Sequence, residues 1–340
     1  MRILITGGGG FLGSELGRQA LARGWEVASI SRGRYPELEA AGVTCFRADL
    51  ATEVPEDESS VLRRALRGRD AVFHTAAKAG IWGPRDAFWA ANIEATRNVL
   101  EATLREGVPR LVHTSSPSAC FTGASEVMAD ETLPLATSFL AHYPESKAIA
   151  ERMALEANGG ALAVTVQRPH LIFGPGDPHL LPRLVDRGRK KRLKRVGDGS
   201  NQVTLCYVAN AAAAQLAAAE ALAPGAPHAG KAYFIGQDAP VLLWEWVDEL
   251  FAALGVPPVR SSISQAAAER IGKVCETLWR ILPLKGEPPM TRFVAGQLAT
   301  SHSYTMEPAA RDFGWRPAVG MDEAMEHTLA WLRAAGHGSG

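Results

Sequence analysis

The 340-residue chain has few cysteines and no net charge. Cys45, Cys120, Cys206 and Cys275 lie far apart without a CxxC pair, which excludes a zinc or redox motif of that type. The nine histidines form no HxxxH or Cys/His ligand spacing, so we expect no metal site. Acidic and basic residues balance at 36 each, and the one basic run, residues 187–195, has no interleaved aromatics. We interpret it as a solvated helix end, with binding of phosphate or an acidic partner as the alternative, and expect no nucleic-acid partner.

Long hydrophobic runs are also missing. No apolar stretch reaches the length of a membrane span, and the chain starts directly with a strand pattern instead of a signal peptide. We therefore expect a cytoplasmic protein without a transmembrane segment and with at most peripheral membrane contact. A chain of this length can bury the core of one large domain, or of a domain with a smaller lobe.

What the chain does have is a glycine loop near its start. The mostly apolar residues 2–6 predict a strand, and apolar residues at helical spacing over residues 11–22 predict a helix. The intervening glycines suit a strand-to-helix turn: Gly7 permits the tight turn, Gly10 a close approach of pyrophosphate, and Gly13 close helix packing. In this context the loop predicts dinucleotide binding, whereas a glycine string alone would be a weak signal.

No carboxylate follows the second predicted strand, where an NAD enzyme usually binds the ribose 2′-hydroxyl with one. Ser31, Arg32 and Arg34 stand there instead. A hydroxyl and two guanidinium groups suit a 2′-phosphate, so we predict NADP(H); the alternative is that both arginines are solvated loop charges. After the third strand, Asp49 either accepts a hydrogen bond from the adenine amino group or only forms a turn.

Predicted strands and helices alternate along the first half of the chain, which is typical of an α/β fold with a doubly wound parallel sheet of the Rossmann type. After Pro169 the pattern loosens into Gly- and Pro-rich loops. We predict an NADP-binding Rossmann domain over residues 1–169, to which residues 203–236 return, and a smaller C-terminal, mainly substrate-binding lobe over residues 170–335. The strands are predicted at residues 2–6, 26–30, 43–46, 71–74, 111–114, 163–167 and 232–235, and the helices at 11–22, 86–106, 144–158, 210–222 and 243–254.

Another amphipathic helix is predicted over residues 264–282. Apolar residues recur there at steps of three and four, and charged residues occupy the opposite face. The helix either covers the core or forms an apolar lid, a membrane contact or an acyl-chain entrance. Its predicted apolar face consists of Ile271, Val274, Cys275, Leu278, Ile281 and Leu282.

Tyr143 and Lys147 carry the predicted chemistry. Reduction of a ketone by a nicotinamide needs an acid within hydrogen-bond reach of the carbonyl oxygen. A phenol can be that acid, because a nearby positive charge lowers its pKa, and Lys147 lies one helical turn from Tyr143 on the same face. Ser116, after the strand at residues 111–114, is predicted to bind the same oxygen, with Ser118 in reserve. A serine pair after a strand is otherwise a turn or a helix cap.

The motifs occur in the order expected of extended short-chain dehydrogenase/reductases, which the chain resembles over essentially its whole length. Within that family the resemblance is to the 3β-hydroxysteroid dehydrogenase branch. The first resemblance rests on TGGGGFLG, the DL of residues 49–50, ANIEATRNVL, HTSSPS, YPESK and RPHLIFGPGDP. The second rests on the RP of residues 168–169, DPHLLPRL, VGDGSNQVTLCYVANAAAA and GEPPMTRF.

The resemblance implies roles for individual residues. Tyr143 is the proton donor, Lys147 its partner, Ser116 the ligand of the carbonyl oxygen, and Asn92 a support of the proton relay. Asn92 is otherwise an ordinary polar helix residue. The implied cofactor-binding residues are Gly7, Gly10, Phe11, Leu12, Gly13, Ser31, Arg32, Arg34, Asp49, Leu50, Ala76, Lys78, Tyr143, Lys147 and Pro169.

Within the branch the chain most resembles bacterial reductases of 2-alkyl-3-oxoalkanoic acids. This implies NADPH-dependent reduction of the 3-keto group to the 3-hydroxy acid in long-chain olefin biosynthesis, with a homodimer and assembly with other enzymes of that pathway. The alternatives are a 3β-hydroxysteroid or sterol dehydrogenase, a sugar-nucleotide epimerase or dehydratase, and a non-enzymatic dinucleotide-sensing scaffold. Many relatives have Tyr before the glycine that follows the serines, whereas this chain has Cys120-Phe121-Thr122-Gly123. The apolar Phe121 suits a lipid better than a sugar.

Overall fold

The structure, a computed structural model, describes residues 1–282 and 284–337. Fifteen strands are found in this part of the chain, and most are short. In chain order they are β1 (Arg2–Thr6), β2 (Glu26–Ser31), β3 (Thr44–Arg47), β4 (Ala71–His74), β5 (Arg110–Thr114), β6 (Glu126–Ala129), β7 (Ala163–Pro169), β8 (Ile172–Phe173), β9 (Arg195–Val196), β10 (Gln202–Val203), β11 (Cys206–Tyr207), β12 (Ala232–Ile235), β13 (Val241–Leu242), β14 (Ser262–Ile263) and β15 (His302–Tyr304).

Thirteen α-helices connect or flank these strands in the described residues. They are α1 (Phe11–Ala22), α2 (Pro36–Ala40), α3 (Val61–Leu66), α4 (Arg85–Phe88), α5 (Ala95–Arg105), α6 (His142–Glu156), α7 (Leu180–Arg189), α8 (Val208–Ala221), α9 (Leu243–Ala253), α10 (Gln265–Ile281), α11 (Arg292–Ala299), α12 (Glu307–Phe313) and α13 (Met321–Leu332). Two π-helical segments, Trp89–Glu94 and Arg333–His337, and a short 3-10 turn, Pro117–Ala119, complete the set.

Seven parallel strands form the central sheet, in the order β12-β7-β5-β4-β1-β2-β3. The strand order reverses between β1 and β4, which leaves a crevice outside the carboxyl ends of these two strands. The predicted doubly wound parallel sheet is therefore confirmed.

Side chains of β1 alternate between the two faces of the sheet, as the two-residue period of a strand requires. Ile3 and Ile5 pack in the core that also contains residues of α1 and α8, whereas Leu4 packs in the core formed with α3, α5 and α6. Every residue of β4 and β7 is buried, because helices cover both faces of the sheet.

A second sheet has the order β13-β10-β15-β6. Its strand β6 comes from residues before 169, and β12, which comes after 169, is an edge strand of the central sheet. The chain thus passes between the two sheets more than once, and the division at residue 169 stays a prediction.

The predicted helix at residues 86–106 begins at Arg85 and is not regular. A π-helical segment, Trp89–Glu94, separates α4 from α5. Such segments hold one more residue per turn than an α-helix and redirect side chains, often at functional sites. Here the segment contains Asn92.

Helix α10 does not cover the core with its apolar face. Ile271, Val274 and Leu278 are exposed, whereas the small residues Ala268 and Gly272 are buried. A Cβ atom at Gly272 would lie 2.6 Å from the backbone nitrogen of Arg292, so the helix packs by its small face against the start of α11. The predicted apolar face is therefore not the face that covers the core, and the helix instead contributes Ala268 to a small buried cluster with Val196 and Ala295.

Candidate active site

The carboxyl ends of the central strands open into a cavity of about 500 Å³. Residues separated by more than 160 positions line it together, because parallel strands end at the same edge of a sheet. The cavity brings together these predicted residues: Gly7, Gly10, Phe11, Leu12, Gly13, Ser116, Ser118, Tyr143, Lys147 and Pro169.

The glycine loop fits a pyrophosphate in the way the sequence predicts. Gly7 has a φ of 71° and donates its N–H to the carbonyl of Ile30 at 2.8 Å. A Cβ atom at Gly13 would lie 2.3 Å from the carbonyl oxygen of Gly7, so only glycine allows this packing. Helix α1 starts after Gly10 with neither a side-chain cap nor an acidic residue in its first turn, which leaves its first N–H groups for an anion.

A second groove, about 380 Å³, continues from the glycine loop past the ends of β2 and β3. The predicted residues Ser31, Arg32, Asp49, Leu50 and Ala76 line it. The Oγ atom of Ser31 is buried without a hydrogen-bond partner among the described residues. A ligand with polar atoms would satisfy this hydroxyl, and the groove therefore fits the adenosine half of a dinucleotide.

For three residues near this groove, the structure differs from the sequence prediction. Arg34 is exposed and does not line it, whereas Tyr35, which the sequence analysis missed, does. A Cβ atom at Gly9 would lie 2.3 Å from the Tyr35 ring, so this ring covers the glycine loop. Arg47, also missed, donates from Nε to the carbonyl of Arg32 at 3.0 Å.

Ser116 and Tyr143 meet in the catalytic cavity. The Ser116 hydroxyl accepts hydrogen bonds from the N–H and the hydroxyl of Ser118, at 3.3 and 2.9 Å, and lines the same cavity as Tyr143. Burial raises the pKa of Tyr143, and the Ser116 hydroxyl opposes this shift. Tyr143 is thus protonated near neutral pH and can donate its proton.

Lys147 is buried one turn along α6. Its Nζ donates to the carbonyl oxygen of Thr114 at 2.5 Å. Burial lowers the pKa of Lys147 to about 8, and the carboxylate of Glu151 opposes this. Glu151 also accepts a hydrogen bond from Arg168 Nη2 at 2.5 Å. The ammonium group is therefore charged at neutral pH.

Asn92 holds two parts of the site together. Its Oδ1 accepts from the N–H of Lys78 at 2.7 Å, and its Nδ2 donates to the Lys78 carbonyl at 3.1 Å and to Ser146 Oγ at 2.8 Å. The Ser146 hydroxyl in turn donates to the carbonyl of Tyr143 at 2.8 Å. Asn92 thereby connects the loop after β4 to the first turn of α6, and its part in a proton relay stays a prediction.

Lys78, like Arg34, is a predicted cofactor residue that lies outside both cavities. It lines neither the catalytic cavity nor the adenosine groove. Its Nζ lies 5.3 Å from the centre of the Phe88 ring, in a separate cavity.

The substrate side of the catalytic cavity contains residues that the sequence analysis did not identify. His170 donates from Nδ1 to the carbonyl of Thr204 at 2.7 Å, and its ring also bonds to Gln297. Burial lowers the pKa of His170 to about 4, so the ring is neutral. Phe293 and Gln297 come from α11, and no local pattern indicates that this distant helix reaches the site.

A switch-point crevice with a glycine loop, a serine and a tyrosine in one cavity, and a lysine one turn beyond the tyrosine defines an extended short-chain dehydrogenase/reductase. The chain belongs to the 3-beta hydroxysteroid dehydrogenase/isomerase family, whose model matches residues 4–264. It is an oxidoreductase acting on CH–OH groups.

Several curated relatives align over nearly the whole chain. A 2-alkyl-3-oxoalkanoate reductase of Stenotrophomonas maltophilia is 49% identical over 97% of this chain and 99% of its own length. Another, of Shewanella oneidensis, is 42% identical over 96% of this chain and 85% of its own length. A decarboxylating sterol-4-alpha-carboxylate 3-dehydrogenase of Mus musculus is 32% identical over 96% and 89%.

Solved structures share the fold at lower identity. A dTDP-glucose 4,6-dehydratase from Streptomyces venezuelae has a TM-score of 0.73 at 23% identity, covering 98% of this chain and 97% of that chain. A UDP-glucuronic acid 4-epimerase from Bacillus cereus has a TM-score of 0.74 at 19% identity, covering 98% and 99%. In the described residues no helix is both long and apolar enough to cross a membrane.

Proposed function

We propose that this protein reduces the 3-keto group of a 2-alkyl-3-oxoalkanoic acid to the 3-hydroxy acid, with NADPH as the cofactor. The observation that carries the proposal is that Ser116, Tyr143 and Lys147 line the same cavity as the glycine loop. This arrangement supplies a proton donor and a hydrogen-bond donor for one carbonyl oxygen beside a dinucleotide site.

The chain's residues act on the carbonyl oxygen. The glycine loop, Ser31 and Arg32 would hold NADPH, which would supply the hydride for the carbonyl carbon. Tyr143 donates its phenolic proton to the carbonyl oxygen, and Ser116 donates a hydrogen bond to the same oxygen. The positive charge of Lys147 stabilises the phenolate that remains on Tyr143.

NADPH rather than NADH is supported by the end of β2. Arg32 lines the adenosine groove beside Ser31, and Arg47 is hydrogen-bonded to the Arg32 backbone. A planar guanidinium group binds a phosphate through several N–H donors, and a ribose 2′-hydroxyl gives it no charge to bind.

The substrate class is supported by what two relatives are named for. A 2-alkyl-3-oxoalkanoate and a sterol-4-alpha-carboxylate oxidised at C3 both have a carboxylate on the carbon next to the reacting one. We infer a β-oxo or β-hydroxy acid as the substrate. We favour the 2-alkyl-3-oxoalkanoate as the substrate, because the two reductases named for it are 49% and 42% identical to this chain, whereas the sterol enzyme is 32% identical.

The test offers the purified protein NADP⁺ with a 2-alkyl-3-hydroxy acid, a 3β-hydroxysteroid, a sterol-4α-carboxylate or a UDP-sugar, and follows reduction of the cofactor by its absorbance. The reverse direction avoids spontaneous decarboxylation of the β-keto acid. We expect turnover with the branched acid. Turnover with the sterol acid alone would transfer the proposal to that class, and turnover with the UDP-sugar alone would overturn it.

We also propose that the reaction serves long-chain olefin biosynthesis, since loss of the carboxyl and 3-hydroxyl groups from a 2-alkyl-3-hydroxy acid, as carbon dioxide and water, leaves a double bond between C2 and C3 with an alkyl chain on each side. The homodimer and the association with other enzymes of that route stay predictions.

A further inference from the structure

A second cavity, of about 730 Å³, adjoins the catalytic cavity. Ile81 lines both cavities, and the second one borders Tyr143 through its neighbour His142. Its walls come from the loop before α4, the start of α6, and α10 with the loop that follows. The wall is mixed: charged side chains alternate with apolar and aromatic ones, which include Trp82, Phe88, Phe139, Leu140, Trp279 and Leu284.

Three cations that line this cavity have no carboxylate partner among the described residues, and one of them is Arg85, whose guanidinium lies 3.7 Å from the centre of the Trp89 ring. Lys78 Nζ lies 5.3 Å from the centre of the Phe88 ring, and the Arg280 guanidinium lies 5.8 Å from that of Trp82. A ring face attracts a cation but does not replace a negatively charged partner. All three cations can therefore accept an anionic ligand.

The carboxylates of the same wall are mostly engaged. Glu276 accepts from the Arg292 N–H at 2.7 Å and from its Nε at 2.9 Å, and Glu287 accepts from Arg183 at 2.9 Å. Glu145 lies 3.9 Å from His142 Nδ1. Lys78, Arg85 and Arg280 thus leave uncompensated positive charge beside aromatic and aliphatic side chains, which is the complement of an amphiphilic acid.

The position of Lys78 is fixed relative to the proton donor. Both backbone groups of Lys78 bond to Asn92, which bonds to Ser146, which bonds to the Tyr143 carbonyl. The next two residues, Ala79 and Gly80, line the catalytic cavity. The Lys78 backbone is therefore held at the boundary between the two cavities.

We propose that Lys78 binds the carboxylate of the substrate and that the aromatic cavity holds an alkyl chain. The proposal rests on the proposed function, since it assigns a second binding site to the same β-oxo acid. Lys78 is then a specificity residue that favours branched acids over neutral steroids and esters, which have no carboxylate.

The kinetic test compares 2-hexyl-3-hydroxydecanoic acid with its methyl ester, using Lys78→Met and, as a matched control, Lys273→Met. Lys273 is an exposed residue of α10 that does not line the cavity. We expect Lys78→Met to reduce the acid-to-ester ratio of kcat/KM by about tenfold or more, chiefly through KM. Lys273→Met should leave the ratio unchanged, and Lys78→Arg, which keeps the charge, should retain most of it.

A binding test needs no turnover. Isothermal titration calorimetry measures 2-hexyldecanoic acid, which has no 3-oxygen and cannot react, on the wild type and on both methionine variants. We expect Lys78→Met to weaken binding of this acid by about tenfold or more, while Lys273→Met binds it like the wild type. NADPH binding by Lys78→Met, measured in the same way, shows that the variant is folded.

The results separate the two proposals. Acid turnover with an unchanged acid-to-ester ratio in Lys78→Met overturns the role of Lys78 and leaves the proposed function intact. Absence of acid turnover in the wild type overturns the proposed function, and the calorimetry then decides separately whether Lys78 binds a branched carboxylate. Equal binding of 2-hexyldecanoic acid by wild type and Lys78→Met overturns the assignment.

Discussion

Burial acts on Tyr143 and Lys147 in opposite directions. It raises the pKa of the phenol and lowers that of the ammonium group to about 8, because the charged form of each loses hydration. The phenol therefore keeps its proton near neutral pH, while the lysine is still charged. This is the protonation state that ketone reduction needs at its start.

The first prediction concerns the phenolic hydroxyl. Tyr143→Phe should lower kcat by at least about a thousandfold, because proton transfer to the carbonyl oxygen is lost. NADPH affinity, measured by fluorescence titration, should change by less than about threefold, since the phenol acts on the substrate oxygen. Turnover close to that of the wild type would remove Tyr143 from the mechanism.

Lys147 gives a prediction about stability. Its folded-state pKa of about 8 lies below the ordinary 10.5, so the folded protein binds fewer protons than the unfolded chain between these values. Burial of the charged Lys147 therefore lowers the free energy of unfolding, by on the order of 3 kcal/mol below about pH 8. This destabilisation decreases as the pH rises from about 8 to 10.5. Lys147→Met should raise the free energy of unfolding at pH 7, and the gain should shrink toward pH 10.5.

Urea denaturation at both pH values measures this effect, with the exposed Lys273→Met as the control. Equal destabilisation of Lys147→Met at pH 7 and at high pH would contradict this prediction. The lost stability would then come from packing and from the missing hydrogen bond to Thr114.

Sequence reasoning identifies the residues whose chemistry depends on local spacing. Tyr143 and Lys147 lie one turn apart on any helix, and Ser116 follows a strand, so their meeting is predictable. His170 and Gln297 are not, because their contact depends on how α11 packs against the end of β7. The position of the Lys78 side chain over the Phe88 ring is not predictable for the same reason, and the role of Lys78 in cofactor binding stays a prediction.

At the scale of elements, periodicity predicts where helices are but not which face they bury. The sequence predicts an amphipathic α10, yet the helix buries Ala268, Gly272 and Glu276 instead of its predicted apolar face. Close packing favours the small residues, and Glu276 is held inside by Arg292. The helix thereby presents Trp279 and Arg280 to the second cavity.

Gly272 tests this packing. A Cβ atom there would lie 2.6 Å from the backbone of Thr291 and Arg292, so Gly272→Ala should cost about 1–3 kcal/mol of unfolding free energy. Gly17 in α1 is the matched control, because its Cβ would meet only Ile5 at 3.7 Å. Gly17→Ala should be neutral or stabilising by up to about 1 kcal/mol. Equal effects of both substitutions in urea denaturation would mean that α10 and α11 are not closely packed.

At the scale of the whole molecule, the central sheet could be predicted because each of its strands is followed by a recognisable helix or turn. The second sheet could not. Its strands have two to four residues and come from four distant parts of the chain, so neither length nor periodicity indicates them.

Cofactor preference should be visible in the stability of the whole protein. A ligand that binds only the folded state at 100 times its Kd raises the unfolding free energy by about 2.7 kcal/mol. NADPH should therefore raise Tm more than NADH at equal concentration, as thermal-shift measurements can show. Arg32→Ala should reduce the NADPH effect far more than the NADH effect, and equal losses would mean that the 2′-phosphate is bound elsewhere.

The most direct test follows one deuterium atom. A 2-alkyl-3-hydroxy acid labelled with deuterium at C3 is incubated with NADP⁺ and the wild type or Tyr143→Phe, and the cofactor is examined by mass spectrometry. The account predicts one deuterium in the NADPH formed by the wild type and almost none with the variant. Deuterium that stays in the acid, or that appears only in water, would contradict hydride transfer at C3 and with it the proposed reaction.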